Sequence, residues 1–250
     1  MDDRTSLPEP HAMPVAATRA AAPAGAPATA VGLADPRALT ILTTEHWSLL
    51  SARSLVYNEA FARGGMFLSF LSASLVALGL IATGTGFSNE FFAVAAVVLA
   101  IDLFLGLATL GRVATASSDD IRCIQGMNRI RHAYHEIVPG LEPYFVTARY
   151  DDVASVLALY GPASPRMGPA ALAHGLTTTP GMIGVIDSAI AGVLGGVLTI
   201  LVAGASTGAV VVAVVVFAVS VVLQAGLMIR GVRITSESLV PAFPAPRIEP

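Results

Sequence analysis

The chain has no lysine at all, a single cysteine and only 12% charged residues among its 250. Soluble domains carry about 25% charge, so a chain this poor in charge does not have water as its main solvent. Its 54% hydrophobic content and mean hydropathy of +0.72 fill the gap that the missing charge leaves. Cys123, standing alone, excludes an internal disulfide and any multi-cysteine metal site, so packing and backbone hydrogen bonds must hold the fold. The 14 arginines are nearly balanced by 17 acids, for a net charge of -3, which leaves no broad basic surface for nucleic acid. Absence of lysine beside abundant Ala, Gly, Val and Pro is a codon signature of a GC-rich bacterial genome. No glycine-rich phosphate loop, nucleophile elbow or pair of catalytic carboxylates occurs, so the sequence offers nothing for an enzyme and implies no cofactor.

What the sequence does contain is four long apolar runs. Residues 65–83 hold 19 residues without a charge, close to the ~20 that cross a hydrocarbon layer of ~30 Å. A second run, 91–111, is interrupted only by Asp102 and ends at Arg112. The third, 182–203, follows Thr179 and Pro180, a capping residue and a proline suited to a first helical turn. The fourth, 209–229, is rich in valine and stops at Arg230 and Arg233. Short polar segments, GTGFSNE and GASTG, join the first to the second and the third to the fourth. The expected fold is therefore all-α, with four transmembrane helices arranged as two helical hairpins and amphipathic helices on the cytoplasmic side.

Orientation follows from the arginines. Arg53 and Arg63 precede the first span, Arg112 follows the second, Arg230 and Arg233 follow the fourth, and both short turns have none. The positive-inside rule then sets both termini in the cytoplasm of a bacterial inner membrane. The chain divides into a Pro/Ala-rich disordered tail over 1–38, an amphipathic helix over 39–64, a transmembrane hairpin over 65–111, a cytoplasmic helical connection over 112–180, a second hairpin over 181–230 and a cytoplasmic tail over 231–250. Residues 1–38 make no convincing signal peptide, because two acids precede the first arginine and prolines break any apolar core.

In the stretch 39–64, Thr43 or Thr44 is the expected cap, and Trp47, Leu50, Ser54, Tyr57 and Phe61 the expected apolar face, with Arg53, Glu59 and Arg63 turned to water. The connection 112–180 carries six arginines against six acids. Ser117 or Ser118 ahead of Asp119 and Asp120 suggests a new helix start there, with Ile124, Met127, Tyr134 and Ile137 as its apolar stripe, and a short second helix is expected over 152–160.

Few residues could carry chemistry. Asp102 lies nine residues above the inner end of its span, roughly 14 Å into the membrane, where a charge costs about 2.5 to 3.5 kcal/mol. It is either a proton or cation site or, neutral, the partner of Ser74 at the same depth on the first span. Asp187 and Gln224 lie at one depth on the third and fourth spans and could hydrogen-bond; alternatively the third span begins later and leaves Asp187 at the water interface near a helix start, where its charge is favoured. No arginine occurs within any span to neutralise either acid. Gly184, Ser188, Gly192 and Gly196 recur every fourth residue and Gly195 widens the groove, a face for close helix packing within the chain or between copies. His132, His135 and Glu136 form an HxxHE cluster whose histidine spacing is not that of a zinc-protease helix, so a solvated helix face is the better reading and no metal is expected.

The segments LTTEHWSLLSARSLVYNEAFARGGMFLS and GMNRIRHAYHEIVPGLEPYF resemble an uncharacterised family of bacterial four-span integral membrane proteins. The likeness covers roughly residues 40 to 150. It implies a membrane protein with these motifs inside the cell, and no activity or site residue. Partners expected are the lipid bilayer, a second copy of the chain or another membrane protein.

Overall fold

A computed structural model describes residues 32–160, 175, 177–204 and 206–246. The described residues are helical with no strand: α1 (Ala38–Thr85), α2 (Asn89–Ile137), α3 (Val153–Leu157), α4 (Thr179–Ala203) and α5 (Ser206–Ser238), with 3-10 turns at Glu142–Tyr144 and Ala158–Tyr160. Four of these, α1, α2, α4 and α5, are long and apolar enough to cross a membrane. The chain is thus, by length and composition, a multi-pass membrane protein. Helix α1 packs on α2, α2 on α4, and α4 on α5, while α2 and α5 touch less. Pairs between α1 and α2 step in opposite directions along the chain, Arg53 with Asp120, Glu59 with Arg112 and Ser74 with Asp102, so these two helices run antiparallel.

Two helices are far longer than a membrane. The 48 residues of α1 and 49 of α2 each extend about 70 Å at 1.5 Å per residue, against ~30 Å of hydrocarbon. Two expected helix starts therefore move or vanish. Residues 39–64 and the first span are one uninterrupted helix, which begins at Ala38 rather than at Thr43 or Thr44. Thr44 instead donates its hydroxyl to the carbonyl of Thr40, a bond of the helix interior. The expected start at Ser117 or Ser118 is likewise absent, because both hydroxyls bond the carbonyls four residues back, Val113 and Ala114, and α2 passes straight through. The connection 112–180 is thus a helix as far as Ile137. Helix α5 similarly continues to Ser238, well into the expected 231–250 tail. The cap of α4 is Thr178, whose hydroxyl accepts from the amide of Gly181, one residue earlier than expected.

The inward face of α1 is also turned by one residue from expectation. Ala60, Gly64 and Phe67 are buried against the bundle, with Leu49, Arg53 and Val56 partly buried above them, whereas Trp47, Tyr57 and Phe61 of the expected apolar face are exposed. The reason is Arg53, which points inward to an acid on α2. Along α2 the buried stripe Ala95, Leu99, Asp102, Gly106, Leu110 and Val113 steps by four and three, and α1 and α4 both meet it.

Beyond the spans, the paired ends of α1 and α2 form a two-helix stalk, closely packed where Leu49 approaches Gly126. Helix α3 packs on it through Ile121, Ile124, Val153, Val156, Leu157 and Leu239, so the end of α5 joins the same small core. Helix α3, over Val153–Leu157 and capped by Asp152, falls within the expected 152–160. The expected disordered tail, apart from residues 32–38, and the Pro/Gly-rich stretch 161–169 lie outside the described residues.

Candidate functional site

The polar groups inside the spans collect along one face of α2. Asp102 is 1% exposed, its Oδ1 accepts from the Ser74 hydroxyl at 3.0 Å, and its Oδ2 is buried with no hydrogen-bond partner. One turn along α2, Gly106 faces α4, where a Cβ would lie 2.1 Å from Oδ1 of Asp187 and 3.0 Å from the ring of Phe67. Only a glycine leaves room there for the acid. Asp187 is fully buried, accepts from Nε2 of Gln224 at 3.4 Å through Oδ2, and has no partner for Oδ1. The amide nitrogen of Gln224 is also 3.0 Å from the Ser220 hydroxyl, while its Oε1 is buried without a donor. Three buried acceptors on two neighbouring acids and one amide therefore lack donors, against the general rule that buried polar atoms are paired.

The small-residue face of α4 meets α5. Gly184, Ser188, Gly192 and Gly196 are buried in this interface, the Ser188 hydroxyl bonding the carbonyl of Gly184 at 2.8 Å. A Cβ on Gly192 would lie 2.7 Å from the Ala213 carbonyl oxygen and 3.0 Å from Cβ of Phe217. One on Gly195 would meet only valine side chains, the nearest methyl at 3.1 Å, and one on Gly196 the Ala209 carbonyl at 3.2 Å. A helix backbone cannot yield as a side chain does. Gly192→Ala is therefore expected to cost about 1 to 3 kcal/mol by overpacking, whereas Gly226→Ala, with open space around it, should be neutral or slightly stabilising. Thermal unfolding of the two variants in detergent micelles checks this.

Outside the spans two clusters appear that the sequence did not suggest. Asp120 on α2 is 2% exposed, yet it receives Arg53 Nε at 2.5 Å, the Tyr57 hydroxyl at 3.0 Å and the Tyr160 hydroxyl. Burial, reinforced by the Asp120 charge, pushes the phenols of Tyr57 and Tyr160 up from the ordinary range. Nearer the membrane, hydrogen bonds from Arg112 and then Arg63 hold the exposed Glu59 carboxyl down at about 2. The second cluster centres on Asp151, which takes Arg129 Nε at 2.7 Å and the backbone amides of Ala242 and Phe243 at 2.8 and 2.7 Å. Gln125 and Arg129 bond the carbonyl of Val240, and Asp152 takes the amide of Ala245. The segment after α5 is thereby laced to the stalk.

The HxxHE residues separate. His132 stacks on Phe243 at 4.2 Å and approaches Glu136 at 3.3 Å, while His135 lies against Phe145. Among the described residues no group of three His, Cys, Asp or Glu side chains could hold a metal.

Between α1, α2 and α5, where the spans meet the stalk, lies a cavity of about 900 Å³. Its walls are mainly apolar, including Val56, Leu110, Leu227 and Met228; Tyr160 and Asp120 line one part of it and Gln224 another. No family model, curated protein or solved structure matches the chain. The class that fold and site define is therefore a multi-pass helical membrane protein with buried acids in its spans.

Proposed function

We propose that the chain is an integral protein of a bacterial cytoplasmic membrane, two helical hairpins with both termini inside, serving as a non-enzymatic structural, regulatory or accessory component. The arginines at the stalk end of the spans and their absence from the short turns support that orientation. The observation that carries the functional reading is how the charged side chains are engaged. Arg53, Arg112 and Arg129 each join segments distant in sequence, and the acid of each span pair bonds a neutral group on the adjacent helix. Such an arrangement builds a rigid body protruding from the membrane on the side of the stalk.

A second reading, a small oligomeric proton or cation channel or transporter using Asp102, is favoured by its unpaired Oδ2 at mid-span. Flux through proteoliposomes separates the two. Wild type and Asp102→Asn are both expected to match empty liposomes for proton and monovalent cation movement. A flux that wild type carries and Asp102→Asn lacks would replace the first reading with the second.

A further inference from the structure

We propose that Asp187 is a proton-binding site within the membrane, reached from the stalk end through the cavity that Gln224 lines. Proton binding does not require transport, so this goes beyond either functional reading and can hold when flux is absent.

An ionised Asp187 is acceptor-only, and beside it Gln224 Oε1 is a second buried acceptor with no donor. A proton on Asp187 converts one acceptor into a donor, and an acid and a primary amide can then pair reciprocally, the hydroxyl giving to Oε1 and Nε2 giving to the carboxyl. The second half of that pair is in place, Nε2 to Oδ2 at 3.4 Å. Turning the amide over would set Oε1 against Oδ2, an arrangement that only a protonated Asp187 permits. The flipped orientation requires the proton, and the one seen gains from it a donor for the unpaired Oε1.

Charge points the same way. Asp187 is completely buried, and no arginine lies in any span. Across the helices packed round it, α5 contributes no titratable group between residues 207 and 229, α1 none between 65 and 85, and α4 none besides Asp187. On α2 the one such group between residues 91 and 111 is Asp102, a turn away from Gly106, and it too is an acid; the flanking Arg63 and Arg112 are both bound to Glu59. A fully buried carboxyl with no cation in the surrounding spans favours its neutral form.

Access is the remaining requirement. Gln224 contacts Asp187 on one side and lines the ~900 Å³ cavity on another, and that cavity continues to Ser117, Asp119 and Arg122 beyond the span. The side chains of Asp119 and Arg122 are 44% and 63% exposed, so this end of the cavity meets water. Water entering the cavity would come within one side chain of the acid.

The test uses infrared spectroscopy and a hydrophobic carbodiimide on the purified full chain. A protonated carboxyl adds across the reagent's C=N bond, oxygen to carbon and proton to nitrogen, and the acyl group then shifts to nitrogen as a stable N-acylurea. The peptide containing Asp187 should gain one reagent mass near neutral pH, and the same peptide of Asp187→Asn none. The acid carbonyl band of Asp187 should vanish in Asp187→Asn and move to higher frequency in Gln224→Leu, a shift that a purely structural glutamine would not cause. In deuterated buffer that band should exchange several-fold more slowly in Gly231→Leu, whose new side chain narrows the cavity. No acid band assignable to Asp187, together with no adduct, would overturn the site. An exchange rate unchanged by Gly231→Leu would overturn the route.

Discussion

Asp120→Ala is expected to destabilise the protein by about 3 to 5 kcal/mol, measured by chemical unfolding in detergent, because it removes one partner of a buried pair and strands the other. Arg53 reaches Asp120 from α1 across 67 residues of sequence, and its side chain is only 23% exposed, so water cannot fully replace the carboxylate. The hydroxyls of Tyr57 and Tyr160 lose their acceptor in the same step. Asp120→Asn keeps one acceptor oxygen without the charge and should fall between Ala and wild type. The instructive comparison replaces the whole cluster at once: Arg53→Met, Asp120→Leu, Tyr57→Phe and Tyr160→Phe together should recover most of the loss. No buried polar atom is then left unpaired, and an apolar cluster of similar volume is often as stable as the ion pair. If the fourfold variant is instead the least stable of the series, the cluster contributes net energy rather than orientation alone.

This cluster also marks where the sequence stops being legible. Patterns with a short period survive translation into structure. Four apolar runs became four long helices, and equal depth along adjacent spans set Ser74 beside Asp102 and Gln224 beside Asp187. The small residues of α4 repeat every fourth position because one helix turn repeats there, and they meet α5. Arg53 carries no such regularity. Read locally, an arginine in an amphipathic helix belongs to water, and that assumption rotated the expected inward face of α1 by one residue. Only α2, folded back along α1, shows that the arginine belongs inside. Ser117 and Ser118 misled for a related reason. Serine caps a helix or bonds back inside one with the same hydroxyl, and the choice depends on whether the preceding turn is already helical. Here the second span supplies that turn, and α2 continues.

The C-terminal segment had no local signal at all, and its attachment gives the second large effect. Asp151→Asn is expected to free residues 241–245 from the stalk and to cost about 3 to 5 kcal/mol, since one fully buried carboxylate accepts Arg129 and two backbone amides. Hydrogen exchange would show it residue by residue: the amides of Ala242 and Phe243 should lose protection, while those in the membrane-spanning part of α2 keep theirs. The pH dependence has a defined sign. Burial alone raises the Asp151 pKa, but the amides of Ala242 and Phe243 and the Arg129 guanidinium outweigh it, so the folded value lies below the ordinary 3.8. The folded state therefore holds the proton less tightly than the unfolded chain. The stabilisation is complete above the ordinary carboxylate range and is lost as pH falls below 3.8 through the folded value. Wild type should then lose protection at Ala242 and Phe243 on acidification, and Asp151→Asn, with no carboxyl to titrate, should show little further change over the same range. Because Gln125 and Arg129 hold Val240 while Leu239 sits in the core with Ile121 and Ile124, release of residues 241–245 should stop short of α5. The exchange boundary between Leu239 and Ala242 is thus the sharpest readout of whether Asp151 acts as a local clamp or as part of the stalk's own fold.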